Sequence, residues 1–166
     1  MALEIERKFL LREGAQLPLA REVIPIQQGY LAKGEHCVVR VRLTQQQGFI
    51  TIKGKPSADH LSRPEYEYPI PPHEAQQLLT LCPQVIKKER LLIEHKGYIW
   101  QVDRFADQNE GLILAEIELE NPSEQPPLPC WIGPEVTTDP RYYNAYLAQH
   151  PYRYWNTLTP PTNPNP

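Results

Sequence analysis

The chain is short of the residues that mark a redox, zinc-binding or membrane protein. Only three of its 166 residues are cysteine and one is methionine. Cys37, Cys82 and Cys130 lie too far apart for a zinc or thiol-redox motif, and are expected as reduced thiols of a cytoplasmic protein. No apolar run approaches the length of a membrane span, and no signal-type apolar segment stands at the start, so no membrane partner is expected. A basic excess is missing too. Lys and Arg number 17 against 20 Asp and Glu, a formal net charge of −3, which argues against a nucleic-acid partner. His36, His60, His73, His95 and His150 are scattered without ligand spacing and are read as surface or turn residues. The remainder, 40% hydrophobic and 22% charged, fits one globular domain with a core.

What the chain has in quantity is alternation. Apolar and polar residues exchange places with a period of two over Leu3–Leu11, Val23–Leu31, His36–Leu43, Gly48–Lys53, Arg63–Ile70, Val85–Glu94, Tyr98–Phe105 and Leu112–Glu120, which predicts eight strands. Turn chemistry separates them at Lys33-Gly34, Gln45–Gln47, Lys96-Gly97 and Asn109–Gly111. Pro72 suits the first turn of a helix over His73–Leu81. Asp139-Pro140 predicts the cap and first turn of a second helix over Arg141–Gln149. The proline-rich stretch Asn121–Pro134 reads as an irregular connection. Eight short strands in succession suggest an antiparallel β-barrel with flanking helices, a β-dominated α+β fold.

The charges lie on alternate positions of these strands. Glu4, Glu6 and Lys8 share a face, as do Arg40 with Arg42, Thr51 with Lys53, Glu65 with Glu67, Lys88 with Arg90, Gln101 with Asp103, and Glu116 with Glu118. An ordinary barrel turns such a face to water, and for any one strand that is the simpler reading. Here the doublets are sorted by sign, and like charges side by side are costly unless something offsets them. A polyphosphate carrying a hard divalent cation offsets both signs, with carboxylates on the metal and cations on the phosphates. The pattern therefore points to a charged interior.

In this order the motifs resemble those of the triphosphate tunnel metalloenzymes, or CYTH domains. The resemblance runs from Glu4-Ile5-Glu6-Arg7-Lys8 through Arg40/Arg42, Thr51/Lys53, Glu65/Glu67, Lys88/Arg90, Asp103 and Glu116/Glu118 to the segment Glu135–Asn144. It implies an eight-stranded antiparallel tunnel domain over residues 1–150. Residues 151–159 are expected as an extension packing on it, and 160–166 as a disordered tail.

The resemblance also implies roles. Glu4, Glu6, Glu116 and Glu118 would hold Mg²⁺ or Mn²⁺, with Glu65, Glu67 and Asp103 as further metal ligands or water-orienting groups. Lys8, Arg40, Arg42, Lys53, Lys88 and Arg90 would cradle the phosphates, joined by the Tyr30 hydroxyl. Lys8, Lys53 and Glu67 are the candidates for direct participation in catalysis; Lys53 is expected to have a lowered pKa among other cations. Gln101 stands where the family often has an acidic residue. Gln28-Gly29-Tyr30-Leu31 resembles the short bacterial tripolyphosphatase type. Inorganic triphosphate is thus the expected small-molecule substrate, cleaved to diphosphate and phosphate by a monomer or homodimer. Nucleoside or thiamine triphosphate hydrolysis and class IV adenylate cyclisation are the alternatives, and a non-catalytic polyphosphate-binding module is the alternative of another class. The aromatic run Tyr142, Tyr143, Tyr146, Tyr152, Tyr154 and Trp155 is expected to pack the C-terminal segment onto the barrel.

Overall fold

The computed structural model describes residues 3–58 and 60–157; the tail expected over 160–166 lies outside them. The alternating segments form strands β1 (Leu3–Leu11), β2 (Glu22–Lys33), β3 (Cys37–Leu43), β4 (Gly48–Gly54), β5 (Ser62–Ile70), β6 (Val85–His95), β7 (Tyr98–Phe105) and β8 (Ile113–Glu118), with helix α1 (Pro72–Thr80) between β5 and β6. Pro72 sits in the first turn of α1, where its missing N–H costs nothing. Lys96 and Gly97 both have positive φ, 50° and 84°, which is the two-residue turn that matches the twist of the β6–β7 hairpin.

All pairings are antiparallel. The strands run β5-β4-β3-β2-β6-β7-β8-β1 in space, and β1 pairs with β5 as well, through Leu3–Pro64, Glu4–Arg63 and Ile5–Ser62. β1 thus has a neighbour on each side, β5 at its start and β8 along Glu6–Leu10.

Two expectations fail. The stretch read as irregular contains a further short strand, β9 (Ile132–Glu135), on the end of β1 at Phe9 and Leu11. Gly133 and Pro134 hide it in the sequence. Pro134 is tolerated because β9 pairs on one side only, and a Cβ on Gly133 would come within 2.8 Å of the Leu11 backbone. The second helix is also broken. Pro140–Tyr142 form a 3₁₀ turn, capped by Asp139 accepting from the Arg141 N–H at 3.0 Å. Tyr143 is then extended, and only Asn144–Leu147 (α2) are α-helical. The extended Tyr143 donates its hydroxyl to the Thr137 carbonyl at 3.1 Å, a contact that a continuous helix would not make.

The apolar alternates pack on one face of the sheet. Ile5, Phe9, Leu91, Ile93, Trp100, Val102, Ala115 and Ile117 are buried beneath Trp131 and Ile132 of the returning segment. Val41 is covered by Ala75 and Leu79 of α1, which approaches so closely that a Cβ on Gly48 would meet the Ala75 Cβ at 2.5 Å. Leu147 and Ala148 bury against Ile86, Phe105, Leu112 and Leu114, with Tyr142, Tyr152 and Trp155 packed around them. Among the described residues no helix is long and apolar enough to cross a membrane.

Candidate active site

The charged faces of the strands lie on the other side of the sheet from this apolar packing. There they line a cavity of about 700 Å³. Lys8, Arg40, Lys53, Lys88, Asp103 and Glu116 are at most 9% exposed, so the solvated-face reading of these strands is excluded. A second cavity of about 390 Å³ shares Arg42, Arg90 and Gln101 with the first and is lined by Ile24, Ile26, Phe49 and Leu92.

The like-charge doublets are offset within the protein. Sequence reasoning assigned that task to a bound ion, but strands of opposite sign lie close enough to pair. Arg42 donates to both oxygens of Glu67 at 3.0 and 2.8 Å, and Arg40 reaches Glu67 at 3.3 Å and Glu65 at 3.5 Å across Thr51 of β4. Arg90 grips Asp103 through Nε at 2.7 Å and Nη2 at 2.8 Å, and donates to Glu116 at 3.0 Å. Lys88 donates to Asp103 at 2.5 Å, Lys8 pairs with Glu116, and Lys53 donates to Glu4 at 2.6 and 2.9 Å. Gln101, in place of an acidic residue, binds Arg90 and donates to Glu118 at 3.2 Å.

This pairing sets the protonation states. Burial works against a charge on Glu4, but Lys53 and Arg63 outweigh it and bring its pKa down to about 2. Burial and the Glu4 carboxylate push Glu65 up to about 7, against the pull of Lys53. Burial lowers Lys53 first, and Arg40 and Arg63 lower it further, the direction expected for a lysine among cations. Lys88 falls to about 8, through burial and Arg90, with Asp103 opposing. Burial holds the Tyr30 hydroxyl protonated, with a pKa near 12, and it accepts from Gln28 at 3.2 Å.

Three side chains in this site were not singled out from the sequence. Arg63 lies two residues before Glu65 on the same face of β5, a spacing that could have exposed it; it donates to Glu4 Oε2 at 2.6 Å. Gln28, 1% exposed, is on the inward face with Tyr30. Asn144 accepts from Lys88 at 3.1 Å, and only the tertiary fold brings it there. With Arg63 included, seven interior cations stand against seven carboxylates among the described residues.

Glu6 and Glu118 are opposite one another in the β1–β8 register, with Glu116 opposite Lys8. Their oxygens are the donors that a hard divalent cation takes, so the residue set fits such an ion in kind. Among the described residues no three His, Cys, Asp or Glu side chains form a cluster arranged to hold one. Each of Glu4, Glu6, Glu65, Glu67 and Glu116 has a cationic side chain within 4 Å.

The CYTH domain family model matches residues 2–145. The chain belongs to the CYTH family. This CYTH protein is 43% identical over 155 residues to an inorganic triphosphatase of Acetivibrio thermocellus, covering 92% of this chain and 97% of that one. It is 35% identical over 154 residues to an inorganic triphosphatase of Nitrosomonas europaea, covering 87% and 96%. A crystal structure of an inorganic triphosphatase superposes with a TM-score of 0.62 at 31% identity, over 89% of this chain and 95% of that one. A Hippeastrum protein described as an adenylyl cyclase with dominant triphosphatase activity gives a TM-score of 0.58 at 15% identity, over 72% and 80%, a likeness of fold alone.

Proposed function

We propose that this CYTH protein closes its eight paired strands into a tunnel, binds inorganic triphosphate there, and hydrolyses it to diphosphate and phosphate with Mg²⁺ or Mn²⁺. The chain is a phosphoanhydride hydrolase, in keeping with its triphosphatase relatives. The observation that carries the substrate reading is the Arg40 guanidinium. It is 9% exposed, faces the cavity, and has a buried Nε with no hydrogen-bond partner. A buried donor left unmade is costly, and a phosphate oxygen would satisfy it.

Residues 1–150 would form the unit that does this, with 151–159 as its extension, of which 158 and 159 lie outside the described residues. Glu4, Glu6, Glu116 and Glu118 would hold the metal, with Glu65, Glu67 and Asp103 as further ligands or water-orienting groups. When bound, the ion neutralises phosphate charge and polarises the scissile bond. Arg40, Arg42, Lys88 and Arg90 hold the phosphate chain as bidentate or point donors, and Tyr30 donates its hydroxyl. Lys8 and Lys53 place ammonium groups on the reacting phosphate, while Glu67, which already accepts from Thr51 at 2.8 Å, orients water. Water adds to the terminal phosphorus, the bond to the bridging oxygen breaks, and diphosphate leaves.

The test is phosphate release from inorganic triphosphate, ATP and thiamine triphosphate in parallel, with Mg²⁺, Mn²⁺ or EDTA. Metal-dependent release from inorganic triphosphate, well above the other two, is expected. Preference for an organic triphosphate would move the substrate; tight binding without release would make the protein a capture module.

A further inference from the structure

Three interior cations stand outside the Arg40/Arg42 and Lys88/Arg90 doublets and face the carboxylates proposed to hold the metal: Lys8, Lys53 and Arg63. Arg63 is opposite Glu4 in the β1–β5 register. Its Nε donates to Glu4 at 2.6 Å, and its Nη2 lies 3.5 Å from Glu6 Oε1. A single guanidinium thus spans both carboxylates of the opening Glu-x-Glu pair. Those are oxygens that a divalent ion needs, and a divalent ion set on the oxygens that the guanidinium holds would be repelled by it. Lys53 also binds Glu4, and Lys8 lies 3.7 Å from Glu6, but their side chains are 9% and 5% exposed, whereas that of Arg63 is 26% exposed. Arg63 is the group with room to leave.

We propose that Arg63 is a positioning residue that stands in for the metal ion at Glu4 and Glu6, and turns onto the phosphate chain when the ion arrives. This rests on the triphosphatase reading above. The exchange makes metal and substrate mutually dependent. Triphosphate gives the displaced guanidinium a new bidentate partner, so the metal binds more tightly when triphosphate is present, and by reciprocity triphosphate binds more tightly with the metal. Without substrate the arginine competes with the ion and keeps the site from filling.

The test is Mn²⁺ binding by calorimetry to the wild-type protein, Arg63→Gln and Arg63→Lys, each with and without a methylene-bridged, non-hydrolysable triphosphate analogue. The wild-type protein should bind Mn²⁺ weakly alone and about tenfold more tightly with the analogue, within the usual range of coupling between sites. Arg63→Gln should bind Mn²⁺ alone about tenfold more tightly than wild type and lose most of the analogue's effect. Arg63→Lys, whose ammonium cannot span both carboxylates, should fall between. A thermal melt of each variant establishes folding, and Arg63→Lys carries the test if the glutamine variant does not fold. Unchanged or weakened Mn²⁺ affinity in the folded variants would overturn the proposal. Phosphate release by the wild-type protein in the same buffer separates the two readings. Release with unaltered metal affinity overturns the role of Arg63 alone, whereas tightened affinity without release supports that role and overturns hydrolysis.

Discussion

Lys88 is a residue at which rising pH should be felt. It is 4% exposed, paired with Asp103 and Asn144, and its pKa lies near 8, below the ordinary lysine range. Below pH 8 it is a cation for phosphate; as pH rises through 8 it loses that charge. The free-enzyme profile of kcat/KM for triphosphate should therefore fall above about pH 8. Lys88→Arg, which keeps its charge, should remove that limb while lowering the plateau; a limb unchanged in the variant would place the titration elsewhere. Glu4 supplies a second prediction at this scale. Glu4→Gln removes a carboxylate proposed to hold the metal but leaves Lys53 and Arg63 with Glu65 and Glu6 as neighbours. Turnover should fall by about 10²-fold or more, while the melting temperature moves by only a few degrees. Full activity in this variant would refute the metal assignment. The doublets were legible in the sequence because period two puts them on one face. Asn144 was not, since no local pattern relates it to Lys88.

At the scale of elements, structure and chemistry lie on opposite faces of the same strands. Leu79 of α1 is 6% exposed and packs with Val41, while Arg40 and Arg42 on either side of Val41 face the cavity. Leu79→Ala should lower stability by about 2–5 kcal/mol in urea denaturation, as deletion of buried side-chain atoms does, and leave the KM for triphosphate within about twofold. A large change in KM would show that α1 shapes the cavity. The strands were readable because alternation is a local signal, and β1 has the bounds the pattern assigns. β9 and the broken C-terminal helix were not readable. β9 is a strand only because the end of β1 offers it hydrogen bonds, and its Gly133 and Pro134 argue locally against it. The cap at Asp139 was correctly placed, but the turn it starts is interrupted at Tyr143, whose hydroxyl bonds back to Thr137.

For the molecule as a whole, the interior charges balance although the chain carries a net −3. On the proposed reading, triphosphate draws its attraction from cations that it takes away from carboxylates, and metal ions would fill the vacated oxygens. Such binding is electrostatic and sensitive to screening. Raising salt from about 0.1 M to about 1 M shortens the screening length from about 10 Å to about 3 Å. kcat/KM should fall several-fold over that range with little change in kcat, measured by steady-state phosphate release. A salt-independent kcat/KM would mean that the charged walls do not recruit substrate. The central claim is hydrolysis, and phosphorus NMR of inorganic triphosphate incubated with the protein tests it most directly. With Mg²⁺ the triphosphate signals should give way to equimolar diphosphate and orthophosphate, and EDTA should stop the conversion. Triphosphate signals that stay intact with Mg²⁺ would contradict it.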